Sequence, residues 1–213
     1  MKVYENDHVR QVYELHEPIL KKRSSFKNVG PLLKELAENL FASFSKGENG
    51  ASIEISNYHP QYAGGKAEHI LKQALTFEDA QLTIARAYGF DQWESISGIL
   101  DQQFEAAVDA LIEGKADELM ELVAQRPELI NQRSAFGHRA TLLHYAGSNG
   151  VELWRQKVPE NLPEIIKLLL KNGADKNATA HFYGGEYTTL ALASSSAHPR
   201  DAGIYKELLE TLS

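Results

Sequence analysis

Hydrophobic positions recur every three to four residues along most of the chain, which predicts a succession of amphipathic helices rather than strands. From Val9 to Lys21 the apolar residues Val9, Val12, Tyr13, Leu15, Ile19 and Leu20 follow that period, and Pro18 within the run predicts a break or kink near Glu17. A clearer stripe runs through Leu32, Leu33, Leu36, Leu40, Phe41 and Phe44, opened by Pro31 and closed by Gly47. The pattern then changes. Ile53 and Ile55 alternate with Ser52, Glu54 and Ser56, and Pro60, Gly64 and Gly65 follow, so residues 48–65 read as an irregular loop with one short strand.

Helical spacing returns at Thr76, an N-cap with Asp79 three residues on. Ala80, Leu82, Ile84, Ala85 and Tyr88 form the buried side of this helix, and Gly89 ends it. Ile96, Ile99 and Leu100 then predict a second short helix, with Phe90 and Trp93 wedged between the two. The greasiest segment lies later. Residues 165–177 read IIKLLLKNGADKN, an apolar helix stopped at Gly173, and it needs a covering partner that TLLHYAGSNG at 141–150 supplies as an antiparallel helix.

The second half repeats this unit. FEAAVDALIEG with ADELMELVAQRPELIN precedes it, and TTLALASSS with IYKELLETLS follows it. Seventeen positions separate Gly114 from Asn131 and twenty-seven separate Gly150 from Asn177, so the second copy carries ten extra residues near 151–161. This string resembles an ankyrin repeat, whose core is TPLHxAxxxG followed by VxxLLxxGADxN. The resemblance covers roughly residues 103–213 and is strongest in the second copy. FEDAQLTIARAYGFDQWESI, at 77–96, is similar to a helical segment that precedes the repeats in bacterial ankyrin-repeat proteins. Departures are Leu142 in place of the family's Pro, Thr189 and Ala191 in the third copy, and the lack of this motif in the first.

The fold class implied is mostly all-α. An ankyrin-like solenoid of about three helix pairs (101–136, 137–183 and 184–213) would follow an N-terminal helical capping region at 1–100. Stacked pairs bury one another's faces, so about three are needed for stability. The resemblance also implies that His144 bridges loop backbone groups of neighbouring repeats, and that a partner is bound through the inter-repeat loops and inner helices. The residues carried over are Phe136 and His138, Phe182, Tyr183 and Tyr187 in the loops, and Ser148, Asn149 and Ser195 on the inner helices. Exposed loop aromatics are the usual anchors of protein contacts. Trp154, in the extra residues, reads either as packing or as a private contact.

Charge and composition narrow the classes. Across 213 residues, 29 acidic side chains exceed 22 basic ones, a formal charge of -7, which argues against a general phosphate-backbone binder. Lys21, Lys22 and Arg23 form the only dense basic run. There is no cysteine, so disulfides, thiol nucleophiles and cysteine metal sites are excluded. No run approaches the roughly 18–20 apolar residues that span a bilayer, and the N-terminus lacks a signal-like core, so the cytoplasm is expected. Asn177-Ala178-Thr179 is read as a chance glycosylation match without a secretory signal, and Gly65-Lys66-Ala67 lacks the rest of a phosphate loop.

The expectation is therefore a non-catalytic module that binds another protein, without cofactor, metal, nucleic acid or membrane. Self-association through exposed aromatics is a further expectation. The alternative is an enzyme or small-ligand binder whose site lies in the N-terminal half, using His59, Tyr62, Glu68 or His69. Glu68 and His69 are adjacent, so a helix would point them about 100° apart. Fold alone does not choose between these readings.

Overall fold

The computed structural model describes residues 2–213 and is mostly helical, with two short two-stranded sheets. It divides into two compact units. One holds residues 7–100 and 135–137, the other residues 2–6, 101–134 and 138–213.

The first unit is built on helices α1 (Asp7–Leu20), α2 (Val29–Ser45), α3 (Asn49–Tyr58), α4 (Ala67–Ile70) and α5 (Phe77–Ala87). Pro18 does not break α1, which runs on to Leu20 because Val12, Leu15, Ile19 and Leu20 are all held in the core. The larger departure is α3, where an irregular loop with a strand was expected. Gly50 through Ile55 are all buried, so this helix shows no one-sided stripe and its alternation of Ile with Ser and Glu is not a strand signal. Gly50 makes this packing feasible: a Cβ there would lie 2.7 Å from the Gln11 carbonyl oxygen of α1.

The cap of α5 is as expected. The Asp79 N–H donates to Thr76 Oγ1 at 3.2 Å and the Thr76 N–H donates to Asp79 Oδ2 at 2.9 Å, a reciprocal box. Beyond Gly89 the expected second helix is absent. Trp93–Ser95 forms a single 3-10 turn, and the chain then extends, with the Leu100 N–H donating to the Lys27 carbonyl at 2.9 Å and Ile99 left 76% exposed. Phe90 and Trp93 are half-buried.

The second unit contains α6 (Gln102–Ile112), α7 (Ala116–Gln125), the single turn α8 (Leu142–Tyr145), α9 (Leu162–Lys171), α10 (Thr189–Ser195), the short α11 (His198–Asp201) and α12 (Tyr205–Leu212), with α6 packed on α7 and α10 on α12. α6 packs on α8, α8 on α10 and α9 on α12. One apolar core runs through them, including Phe104, Leu111, Leu119, Leu143, Ile165, Ile166, Leu169, Leu192 and Leu208. Asn131 ties successive loops, donating to the Gly173 carbonyl at 2.8 Å and accepting from the Asp175 N–H at 2.9 Å.

Two sheets complete this unit. Strand β1 (Val3–Tyr4) pairs antiparallel with β2 (Val158–Pro159), and β3 (Thr179–Phe182) forms a hairpin with β4 (Gly185–Thr188). The chain passes from one unit to the other after residue 100, and residues 2–6 and 135–137 each join the unit that does not hold their neighbours in sequence. Among the described residues no helix is long and apolar enough to cross a membrane.

Candidate partner-binding surface at the hairpin tip

The β3–β4 hairpin is closed by two residues, Tyr183 and Gly184, with φ of 53° and 77°. Positive φ at both positions is the type I′ geometry that suits the right-handed strand twist, normally met by Asn-Gly. Tyrosine in this region costs roughly 1–2 kcal/mol, so Tyr183 is held there by its surroundings. Its hydroxyl donates to Asn149 Oδ1 at 2.6 Å, and Asn149 Nδ2 donates to Ser195 Oγ at 3.0 Å and to the Leu192 carbonyl at 3.3 Å. The Tyr187 ring meets the Tyr183 ring edge-on at 6.2 Å.

The hairpin is seated from below. The Phe182 ring stacks on His138 at 5.4 Å and covers Gly150, where a Cβ would meet that ring at 2.6 Å. The His181 N–H donates to the His138 carbonyl at 2.9 Å, so the preceding loop extends the ladder on the β3 side. His144 fixes the other side. Its Nδ1 accepts from the Thr141 N–H at 3.2 Å, which leaves Nε2–H to donate to the Tyr187 carbonyl at 3.2 Å. Burial, assisted by the nearby Arg133 cation, pushes its pKa down to about 4, so the ring is neutral near pH 7. His144 thus joins the start of α8 to strand β4.

The eight residues carried over from that resemblance divide. Tyr183 is 70% exposed, Ser195 is exposed, and Tyr187 and Asn149 are half-buried, all gathered around the tip. Phe136, His138, Ser148 and Phe182 are buried and offer no contact surface. Phe136 packs edge-on against Tyr88 at 4.8 Å in the first unit, and Gly137 beside it leaves space that a Cβ would close at 2.3 Å from the Gly89 carbonyl. His138 lies under the hairpin, with Nδ1 accepting from the Ala140 N–H at 3.0 Å. Ser148 has φ of 46° and donates to the Lys157 carbonyl at 2.9 Å, because the extra residues of the second pair fold over it.

Those extra residues hold the feature that the sequence did not disclose. Arg155, fully buried, donates from Nη2 to Glu105 Oε2 at 2.6 Å and from Nη1 to Glu152 Oε1 at 3.3 Å, with Asp109 at 3.5 Å. Its guanidinium lies over the Trp154 ring at 4.5 Å, so Trp154 is packing rather than an exposed contact. Burial opposes the charged form, but the Glu105 and Glu152 carboxylates outweigh it and raise the Arg155 pKa further. Burial likewise opposes ionisation of Glu152, and the Arg155 cation overcomes it, leaving the Glu152 pKa below its ordinary value.

In the first unit only His59 and Tyr62 of the residues named in the enzymatic alternative come together. His59 is buried, with Nε2 3.2 Å from Asp79 Oδ1 and its ring 4.7 Å from that of Tyr62, while Glu68 and His69 are exposed on α4. A separate polar group joins three helices: His16 Nε2 lies 2.6 Å from Glu54 Oε2, and Asn39 Nδ2 is 3.1 Å from His16 Nδ1. His16 and Glu54 are both buried. Among the described residues no group of three or more His, Asp or Glu side chains is placed to hold a metal ion. No family model, curated protein or solved structure matches the chain.

Proposed function

We propose that this is an ankyrin-type repeat protein of the cytoplasm that works as a non-catalytic protein-binding module, with the β3–β4 hairpin tip as its contact surface. The observation that carries this reading is Tyr183. A large aromatic ring is presented to solvent in a backbone conformation that disfavours it, and is held there by a hydrogen-bonded line through Asn149 to Ser195. Strain retained at an exposed position is the mark of a functional constraint, and a rigid aromatic loses little entropy when it inserts into a partner's pocket.

The surface differs from that expected for a bare repeat array. Arg155 lies over the Tyr145 ring of α8 and Ser148 is bonded to the Lys157 carbonyl, so binding is concentrated at the tip: Tyr183, Tyr187, Asn149 and Ser195. A photo-crosslinking residue placed at the exposed Glu186 beside the tip should capture a partner, whereas the same residue at Lys206, on the exposed face of α12, should not. Asn149→Ala, which frees the Tyr183 hydroxyl, should weaken the capture at 186. Equal capture at both positions, or none at 186, removes the reading.

A further inference from the structure

The chain's first residues do not belong to the helical unit that follows them; they lie as a strap along the extra residues of the second helix pair. Val3 and Tyr4 stand opposite Pro159 and Val158. The Glu160 N–H donates to the Lys2 carbonyl at 3.0 Å, and the Lys2 N–H donates back to Glu160 Oε1 at 3.2 Å. Pro159 falls opposite Val3, between the bonded position at Glu160 and the pair at Val158, where its missing N–H costs the ladder nothing.

Successive side chains of the strap also meet complementary groups. The Tyr4 hydroxyl donates to Asp201 Oδ2 at 3.2 Å, Glu5 lies 3.1 Å from Lys157 Nζ, and Asn6 Nδ2 is 3.5 Å from His198 Nδ1. His198 Nε2 is turned to Gln156 Oε1 at 3.1 Å, which assigns its Nδ1 as the acceptor facing Asn6. The receiving surface is fixed independently of the strap. Arg155 anchors the extra residues to Glu105 on α6, and Gln156 Nε2 donates to the Val151 carbonyl at 2.7 Å. By contrast the strap is thin. Lys2 and Glu5 are exposed, and Val3 and Tyr4 only half-buried.

We propose that the edge of β2 is a strand-addition site for an extended segment of another protein, and that residues 2–6 occupy it in reserve. The segment it fits places an aliphatic residue, a tyrosine, an acid and an amide in succession, read by the β2 backbone, Asp201, Lys157 and His198. Main-chain bonds supply affinity in such a mode and the side-chain partners supply selectivity. The tethered strap competes at high effective concentration, so a segment in trans binds only when the strap is weakened or outcompeted. This inference stands apart from the hairpin reading, since no residue is shared.

The test uses the full chain with Tyr4→Ala and Glu5→Lys, which remove the aromatic contact and set a like charge beside Lys157. A fluorescent peptide of residues 2–6 is added and its anisotropy followed. It should bind the altered chain at least about tenfold tighter than the unaltered one. A peptide in which the acid is replaced by lysine should fail, and should recover binding on a chain that carries Tyr4→Ala and Lys157→Glu with Glu5 retained, where the strap's acid meets a like charge and the peptide's lysine an opposite one. If the altered chain keeps its thermal transition and binds the peptide no better, the site does not exist. If it loses that transition, the strap is part of the core and the inference fails as well.

Discussion

The extra residues 151–160 and the β3–β4 hairpin both interrupt the succession of helix pairs, and they place their side chains in opposite senses. The first turns a cation inward, with Arg155 buried among Glu105, Glu152 and the Trp154 ring. The second turns an aromatic ring outward, with Tyr183 exposed on a left-handed backbone. A buried ion network tends to specify one packing rather than to add stability, because desolvation offsets most of the attraction. An exposed ring on a strained turn adds no core at all. The comparison teaches that the inward exception organises the unit and the outward one is available for contact.

The largest effect should come from splitting the ion network. Arg155→Met leaves two buried carboxylates without their cation, and breaking such a pair by removing one partner costs about 3–5 kcal/mol. Chemical denaturation should show that loss for the second unit. Adding Glu105→Gln and Glu152→Gln to the same chain should return most of it, since the uncompensated charges are then gone. A loss under about 1 kcal/mol for Arg155→Met would show that water reaches the cluster and would erase the contrast with the hairpin.

Acid should act next, through the ring that ties the hairpin to α8. The folded pKa of His144 lies near 4 against an ordinary 6.5, so the unfolded chain takes up the proton first as pH falls. The stability this ring contributes is complete above about pH 6.5 and is lost progressively down to pH 4. The gap corresponds to about 3 kcal/mol. His144→Gln cannot titrate, so the difference between the two proteins' stabilities should shrink across that window. Curves that stay parallel between pH 6.5 and 4 would show that His144 is not buried neutral in the fold.

Legibility from sequence followed the same division between local and distant causes. α2, α5 and α9 were readable because each is apolar on one side only, and a cap or a glycine marks an end. α3 was not, because a helix whose central residues are all buried has no polar face to give it a period: Ser52 Oγ is satisfied within the helix by the Asn49 carbonyl at 2.7 Å, and Glu54 meets His16, a partner that local sequence cannot reveal. Tyr183, Tyr187, Asn149 and Ser195 were nominated by position in the repeat and do gather in space. Phe136 and Phe182 were nominated by the same logic and are buried, because loop aromatics that find a ring or a glycine to cover follow the hydrophobic effect inward. The strap at residues 2–6 and the cation at 155 depend on partners far along the chain, and periodicity carries no trace of either.

The smallest change in stability should accompany the largest change in binding, and it comes from Tyr183→Asn. Asparagine is favoured at the first position of a type I′ turn, so the substitution relieves up to about 1 kcal/mol of backbone strain. It also removes the hydroxyl bond to Asn149 at 2.6 Å, an exposed interaction worth about 0.5–1.5 kcal/mol. The two nearly cancel, and the denaturation midpoint should move little in either direction. Capture of a partner through a crosslinker at the nearby exposed Glu186 should nevertheless fall about tenfold or more, since truncating a central aromatic anchor costs about 2 kcal/mol or more of binding energy. If stability falls sharply instead, Tyr183 is held in its left-handed conformation for the sake of the fold. If stability is unchanged and capture persists, the exposed ring is incidental and the hairpin tip is not the contact surface.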